Sequence, residues 1–234
     1  MKRSNLVLLL VTFVLIPLTL YFGTKLSGRW YYLTGTLIVA ELLLPFFLAF
    51  ERRRPQAREL VVIAVLCAIA ATARVIVPIP HFKPMFAVIM LSGIAFGPEA
   101  GFLVGAVGAL ASSFFYTQGP YLPWQMLAYG VAGLLSGFFF YKKLLPQKPW
   151  VMGLFGFFGV LLVVGPILDT ASLFLTLPEL SFSAVWSIYL SGIGVNCSQG
   201  LCTLLILLLF GRAFLEKLER VKMKYGMMEG SNGL

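Results

Sequence analysis

Charge is what this chain has least of. Only 12% of its 234 residues are Asp, Glu, Lys or Arg, about half the share found in a soluble domain. No hydrophilic stretch is long enough to form a separate soluble domain. Histidine occurs once, at His81, so no pair of histidines can hold a metal. The three cysteines, Cys67, Cys197 and Cys202, fall inside apolar runs without a pairing pattern or metal spacing. They read as small core residues. No GxxxxGKS/T phosphate loop occurs, which excludes nucleotide hydrolysis by the usual route. No GxSxG elbow occurs either, and SGIG at Ser191–Gly194 reads as a packing sequence. No internal repeat is visible, which weighs against the inverted-repeat secondary transporters.

What is present is apolar surface. Hydrophobic residues make up 59% of the chain and Phe alone occurs 21 times. The expected fold class is all-α, a polytopic membrane helix bundle. A crossing needs about 20 apolar residues. That template predicts eight spans: Asn5–Gly23, Trp30–Phe50, Ala57–Val77, Phe82–Phe96, Glu99–Tyr116, Trp124–Tyr141, Trp150–Leu168 and Val185–Phe210. The fourth is short and bounded by Gly and Pro, which suggests a tilted or partly re-entrant segment. Met1-Lys2-Arg3 before an apolar run resembles a signal peptide, but no small-residue cleavage site follows, so the segment reads as a retained helix.

The net charge of +9 reads as topology rather than as a nucleic-acid footprint. Eight spans place both termini on one side. With the termini cytoplasmic, 14 of the 18 basic residues lie inside, Lys25, Arg29 and Lys83 lie outside, and Arg74 sits within a span near its outer end, free to snorkel. The outer side then receives Pro78–Lys83, the Thr117–Pro123 loop and a long connection, Asp169–Ala184. Glu51–Gln56 is a polar, Pro-containing linker. It divides the chain into two N-terminal helices with the linker (1–56), a six-helix core (57–222) and a cytoplasmic tail (223–234).

Chemistry-bearing residues gather in three places. The stretch TQGPYLPWQMLAYG, Thr117–Gly130, must turn at Gly119, Pro120 and Pro123. Tyr116, Tyr121, Trp124 and Tyr129 supply aromatic walls, and Gln118 and Gln125 supply neutral donors and acceptors. Such a loop can cap a small-molecule site, or be an ordinary interfacial turn with an aromatic belt. In the last span, Asn196 and Gln199 share a face roughly 15–20 Å below the outer end. They need partners in a dry bundle, either as interhelical hydrogen bonds or as the polar floor of a ligand cavity beneath Trp186 and Tyr189. Third, Ala64 and Ala68 lie one above the other on the third span, with Ala71 close to that stripe, where another helix could approach. Glu41, mid-span, invites a hydrogen bond from Thr12 or Thr36, and Asp169 marks the outer end of the seventh span.

On the AVLCA motif Ala64–Ala68, the six-span unit with its basic tail, and GPYLPWQM at Gly119–Met126, residues 57–221 resemble the substrate-binding S-component of an energy-coupling-factor (ECF) vitamin transporter. The loop and the extra spans look most like the cobalamin-specific S-components of lactic-acid bacteria. The resemblance implies a bacterial cell-membrane protein, not an enzyme and without a cofactor of its own. Its partners would be a transmembrane coupling protein, docked on Ala64, Ala68 and Ala71, and two ATPase subunits that drive toppling of the S-component. It also implies a vitamin site drawn from His81, Tyr116, Gln118, Tyr121, Trp124, Gln125, Tyr129, Asp169, Trp186, Asn196 and Gln199. A loop histidine such as His81 is expected to be solvated rather than bound to cobalt. Riboflavin, folate or a queuosine precursor would use similar residue types. A stand-alone secondary transporter is the competing class, disfavoured because the six-span core has almost no ionisable group at mid-depth.

Overall fold

The computed structural model describes residues 15, 18–19, 30–52, 56–116, 119–176 and 181–225. Every regular element among them is helical. Eight α-helices follow in order: α1 (Trp30–Arg52), α2 (Ala57–Ile76), α3 (Met85–Phe96), α4 (Pro98–Ser113), α5 (Leu122–Ser136), α6 (Pro149–Gly159), α7 (Gly165–Thr176) and α8 (Phe182–Lys224). A π-helical turn, Gly137–Tyr141, closes α5, and another, Val160–Val164, joins α6 to α7. The first expected span, Asn5–Gly23, lies almost wholly outside the described residues.

The bundle is built around α3. All twelve of its residues are buried, as expected for a helix that is apolar on every side. At 1.5 Å per residue it reaches only about 18 Å, too short to cross a hydrocarbon core of about 30 Å by itself. The short fourth span is therefore a central post enclosed by its neighbours. Gly97, at φ 97°, ends α3 in a conformation that L side chains rarely adopt. Pro98 then starts α4 in the opposite direction.

α4 packs on α5 with their backbones in contact. A methyl added at Gly101 would sit 2.6 Å from Gly93 Cα and 2.7 Å from the Gly133 carbonyl carbon. Gly101, Gly105, Gly133 and Gly137 thus form a close small-residue seam. α1 lies against this unit: Val39 and Leu43 are buried, Phe47 meets Phe102 edge to face at 6.3 Å, and Thr36 donates to the Pro120 carbonyl at 3.3 Å.

Among the described residues, three stretches are long and apolar enough to cross a membrane: α2, the continuous Pro149–Thr176 run, and α8. With 43 residues, α8 extends about 65 Å, well beyond the expected Val185–Phe210 span. The seventh helix also differs from expectation. It continues through Thr176, so Asp169 lies within a helix and not in a connection beginning at Asp169. Hydroxyls make this possible: Thr170, Ser172 and Thr176 donate to the carbonyls of Pro166, Leu168 and Ser172 at 2.7, 3.1 and 2.6 Å, hiding their polarity against the helix itself. Glu41 accepts a hydrogen bond from Thr19 at 2.6 Å; of the two expected partners, Thr36 donates to the Pro120 carbonyl and Thr12 lies outside the described residues.

Candidate functional site

Where α2 ends and α5 begins, the helices part around a cavity of about 670 Å³. α2 contributes Arg74, the 78–84 turn His81 and Lys83, and the end of α4 Tyr116. Tyr121, Gln125 and Tyr129 come from the start of α5, Asp169 and Ser172 from α7, and Ser191, Asn196 and Gln199 from α8. The volume falls in the range of small-molecule sites, roughly 300–1,000 Å³.

Arg74 anchors one wall. Sitting in the last turn of α2, its charge complements the helix C-terminus. Its Nη1 donates to Ser112 Oγ at 2.7 Å, and Ser112 is completely buried. The guanidinium lies 4.9 Å from the Tyr116 ring centroid and 5.6 Å from that of Tyr129. Tyr116 Oη in turn donates to the Arg74 carbonyl at 3.2 Å. Tyr129 is itself held by Phe86, edge to face at 4.9 Å. The arginine therefore reaches into the bundle instead of snorkelling outward, which corrects the expectation from sequence. Lys83 Nζ donates to the Val77 carbonyl, folding the 78–84 turn back on the end of α2. His81 caps that turn in a left-handed conformation, φ 59°.

The facing wall joins α7 to α8. Asn196 Nδ2 donates to Asp169 Oδ2 at 2.8 Å. Two glycines let these side chains fit: a methyl at Gly165 would stand 2.5 Å from Asn196 Cγ, and one at Gly192 would stand 2.6 Å from Asp169 Cγ. Thr170 and Tyr189 share a hydrogen bond of 2.7 Å across the same pair of helices, and Tyr121 Oη donates to the Leu168 carbonyl at 3.2 Å. Below them Gln199 Oε1 is buried with no partner among the described residues. The cavity thus pairs a cationic, aromatic wall with a carboxylate–amide wall. It can clamp a flat polar molecule but holds no nucleophile–base pair among its lining residues.

Eight residues singled out from sequence meet here: His81, Tyr116, Tyr121, Gln125, Tyr129, Asp169, Asn196 and Gln199. Gln118 lies outside the described residues. Trp124 is elsewhere, 8% exposed in a cluster with Val39 and Ala171, stacked on Phe174 at 5.9 Å. Trp186 is 53% exposed and meets Phe182 edge to face, away from the cavity lining. Of the alanine stripe, Ala64 and Ala68 are exposed while Ala71 is buried against the bundle. The sequence placed Arg74 and Lys83 near the outer side without assigning them to the site, and gave no sign of Ser112. Only the glycine spacing at 101–105 and 133–137 could have hinted at the seam that brings Tyr116 and Tyr129 to Arg74.

Comparison with known proteins agrees with this architecture. A UPF0397 protein of Vibrio atlanticus (strain LGP32) is 36% identical over 92 residues, covering 38% of this chain and 50% of the relative. One of Aliivibrio salmonicida (strain LFI1238) is 34% identical over 91 residues, covering 37% of this chain and 48% of the relative. The chain spans about half the length of these curated relatives. No solved structure matches. The family described as "ECF-type riboflavin transporter, S component" matches residues 55–216, the stretch from α2 into α8 that encloses the cavity, and the chain belongs to that family of membrane proteins.

Proposed function

We propose that this chain is the membrane-embedded substrate-binding subunit of an ATP-driven ECF importer. It captures a vitamin from outside in the Arg74–Asp169 cavity and releases it inside after docking on a coupling protein. The observation that carries this reading is the cavity: polar on two facing walls, aromatic between them, within a bundle whose outer surface is apolar. The chain's part is binding; hydrolysis of ATP falls to two partner ATPase subunits. Both termini lie in the cytoplasm, as the basic residues favour, which opens the cavity to the outside. The exposed face of α2, with Ala64 and Ala68 between Val61, Val65 and Ile69, is the docking surface that the family resemblance supports, since small residues admit another helix closely.

Cobalamin is the first candidate ligand, because neutral amides and tyrosines suit a corrinoid's amide rim. A second reading is favoured by size. A cavity of about 670 Å³ suits a compact ring system better than a corrinoid, most of which would remain in the mouth. Calorimetric titration of the purified protein with cobalamin, riboflavin, folate and biotin tests the proposal. Saturable binding of one of them is the expected result, and absence of binding to all four removes the vitamin reading.

A further inference from the structure

We infer that the molecule this cavity takes carries an oxyanion, a carboxylate or a phosphate ester, seated on the wall formed by Arg74 and Lys83. This rests on reading the cavity as the vitamin site and narrows the class of vitamin. Three observations carry it.

The first is where the arginine points. A guanidinium near the end of a membrane helix ordinarily extends toward water and headgroups. Arg74 turns inward to a fully buried serine and is flanked by two tyrosine rings. With the rings near its faces, the guanidinium edge is the surface for recognition, the part through which arginine meets carboxylate or phosphate by paired hydrogen bonds.

The second is donor capacity. Arginine has five N–H donors and lysine three. Arg74 makes one hydrogen bond, to Ser112, and Lys83 makes one, to the Val77 carbonyl. Both line the cavity, and most of their donors are unspent on the described residues.

The third is charge balance. Among the described residues no carboxylate forms an ion pair with Arg74 or Lys83; the ion pair found there is Arg212–Glu216, far along α8. Asp169 is the one carboxylate among the described lining residues, and it is engaged by Asn196 and packed on Gly192. A half-buried cation with no ion-paired carboxylate among the described residues attracts an anionic ligand.

The test uses the full chain in detergent. Thermal stabilisation and titration are measured with one neutral vitamin that carries no oxyanion, riboflavin, with three anionic ones, riboflavin phosphate, folate and biotin, and with inorganic phosphate alone. An anionic member of the set is expected to bind tightest. Arg74→Gln should weaken it roughly 10- to 100-fold, the worth of a charge-assisted hydrogen bond, with partial recovery in Arg74→Lys. Lys83→Gln, whose amide can still donate to the Val77 carbonyl, should weaken it by a smaller factor. If a neutral vitamin binds tightest and Arg74→Gln and Lys83→Gln leave its Kd within about twofold, the inference is overturned. If no vitamin binds but phosphate protects the wild type and not Arg74→Gln, the oxyanion site stands and the vitamin reading falls. If neither phosphate nor any vitamin protects, the oxyanion site falls as well.

Discussion

Replacing Gly105 by alanine should damage ligand binding from outside the cavity. Gly105 faces α5 at the level of Tyr129. A methyl there would sit 2.7 Å from Gly130 N and closer still to the Tyr129 carbonyl. Ordinary carbon contacts begin near 3.4 Å, so α4 and α5 must part by roughly 1 Å in a close-packed interior. The obstacle is backbone, which cannot rotate away as a side-chain tip can. Overpacking of this kind costs about 1–3 kcal/mol, and here the upper end applies. Alanine's better helix propensity returns about 1 kcal/mol, leaving a net loss of about 2 kcal/mol. At roughly 2–4 °C per kcal/mol for a chain of this size, Tm should fall by about 4–8 °C. Because the displaced backbone carries Tyr129, one of the two rings flanking Arg74, ligand affinity should fall about tenfold for a ~1 Å misplacement. Gly194→Ala is the control: it lies in α8 with nothing within 4 Å of the added methyl, and propensity alone should raise Tm slightly. The assay is thermal unfolding in detergent with and without ligand. If Gly105→Ala matches Gly194→Ala in Tm and affinity, the seam does not position the site.

Trp124→Phe should leave ligand affinity within about twofold, because the indole packs on Phe174 and its N–H has no partner among the described residues; a large drop in titration would place Trp124 in the site after all. Asn196→Ala removes the 2.8 Å hydrogen bond that holds Asp169, worth about 1.5–3 kcal/mol to a charged acceptor. Ligand affinity should fall about tenfold or more, read by the same titration, and an unchanged Kd would show that Asp169 needs no orientation. Ala64→Trp or Ala68→Trp, both on the exposed face of α2, should abolish uptake by reconstituted vesicles containing the partner subunits while leaving titrated affinity intact. Normal uptake would move the docking surface elsewhere.

Much of the architecture follows from one-dimensional pattern. Twenty-residue apolar runs in a chain with so little charge have no stable home but a bundle of membrane helices, since backbone polar groups in lipid must be satisfied within the segment. The amides Asn196 and Gln199, three tyrosines and two glutamines near the 117–130 turn, and His81 could be gathered as candidates because polar residues are rare in such runs. Helix ends were less legible. Ser and Thr in 170–176 look like a loop by composition, yet their hydroxyls bond back along the helix and keep it intact.

Other features were decided only in three dimensions. Whether Arg74 snorkels or turns inward depends on Ser112, 38 positions away, and on two rings brought close by glycine contacts between α4 and α5. Whether Trp124 lines the cavity or the core depends on the rotation of α5 against α1 and α7, which no local spacing encodes. Asp169 meets Asn196 only because Gly165 and Gly192 leave room between α7 and α8. The sequence by itself determined a membrane bundle and the kinds of residue available to a ligand. Close packing, a property of pairs of helices and not of either one alone, decided which of those residues face each other across a cavity.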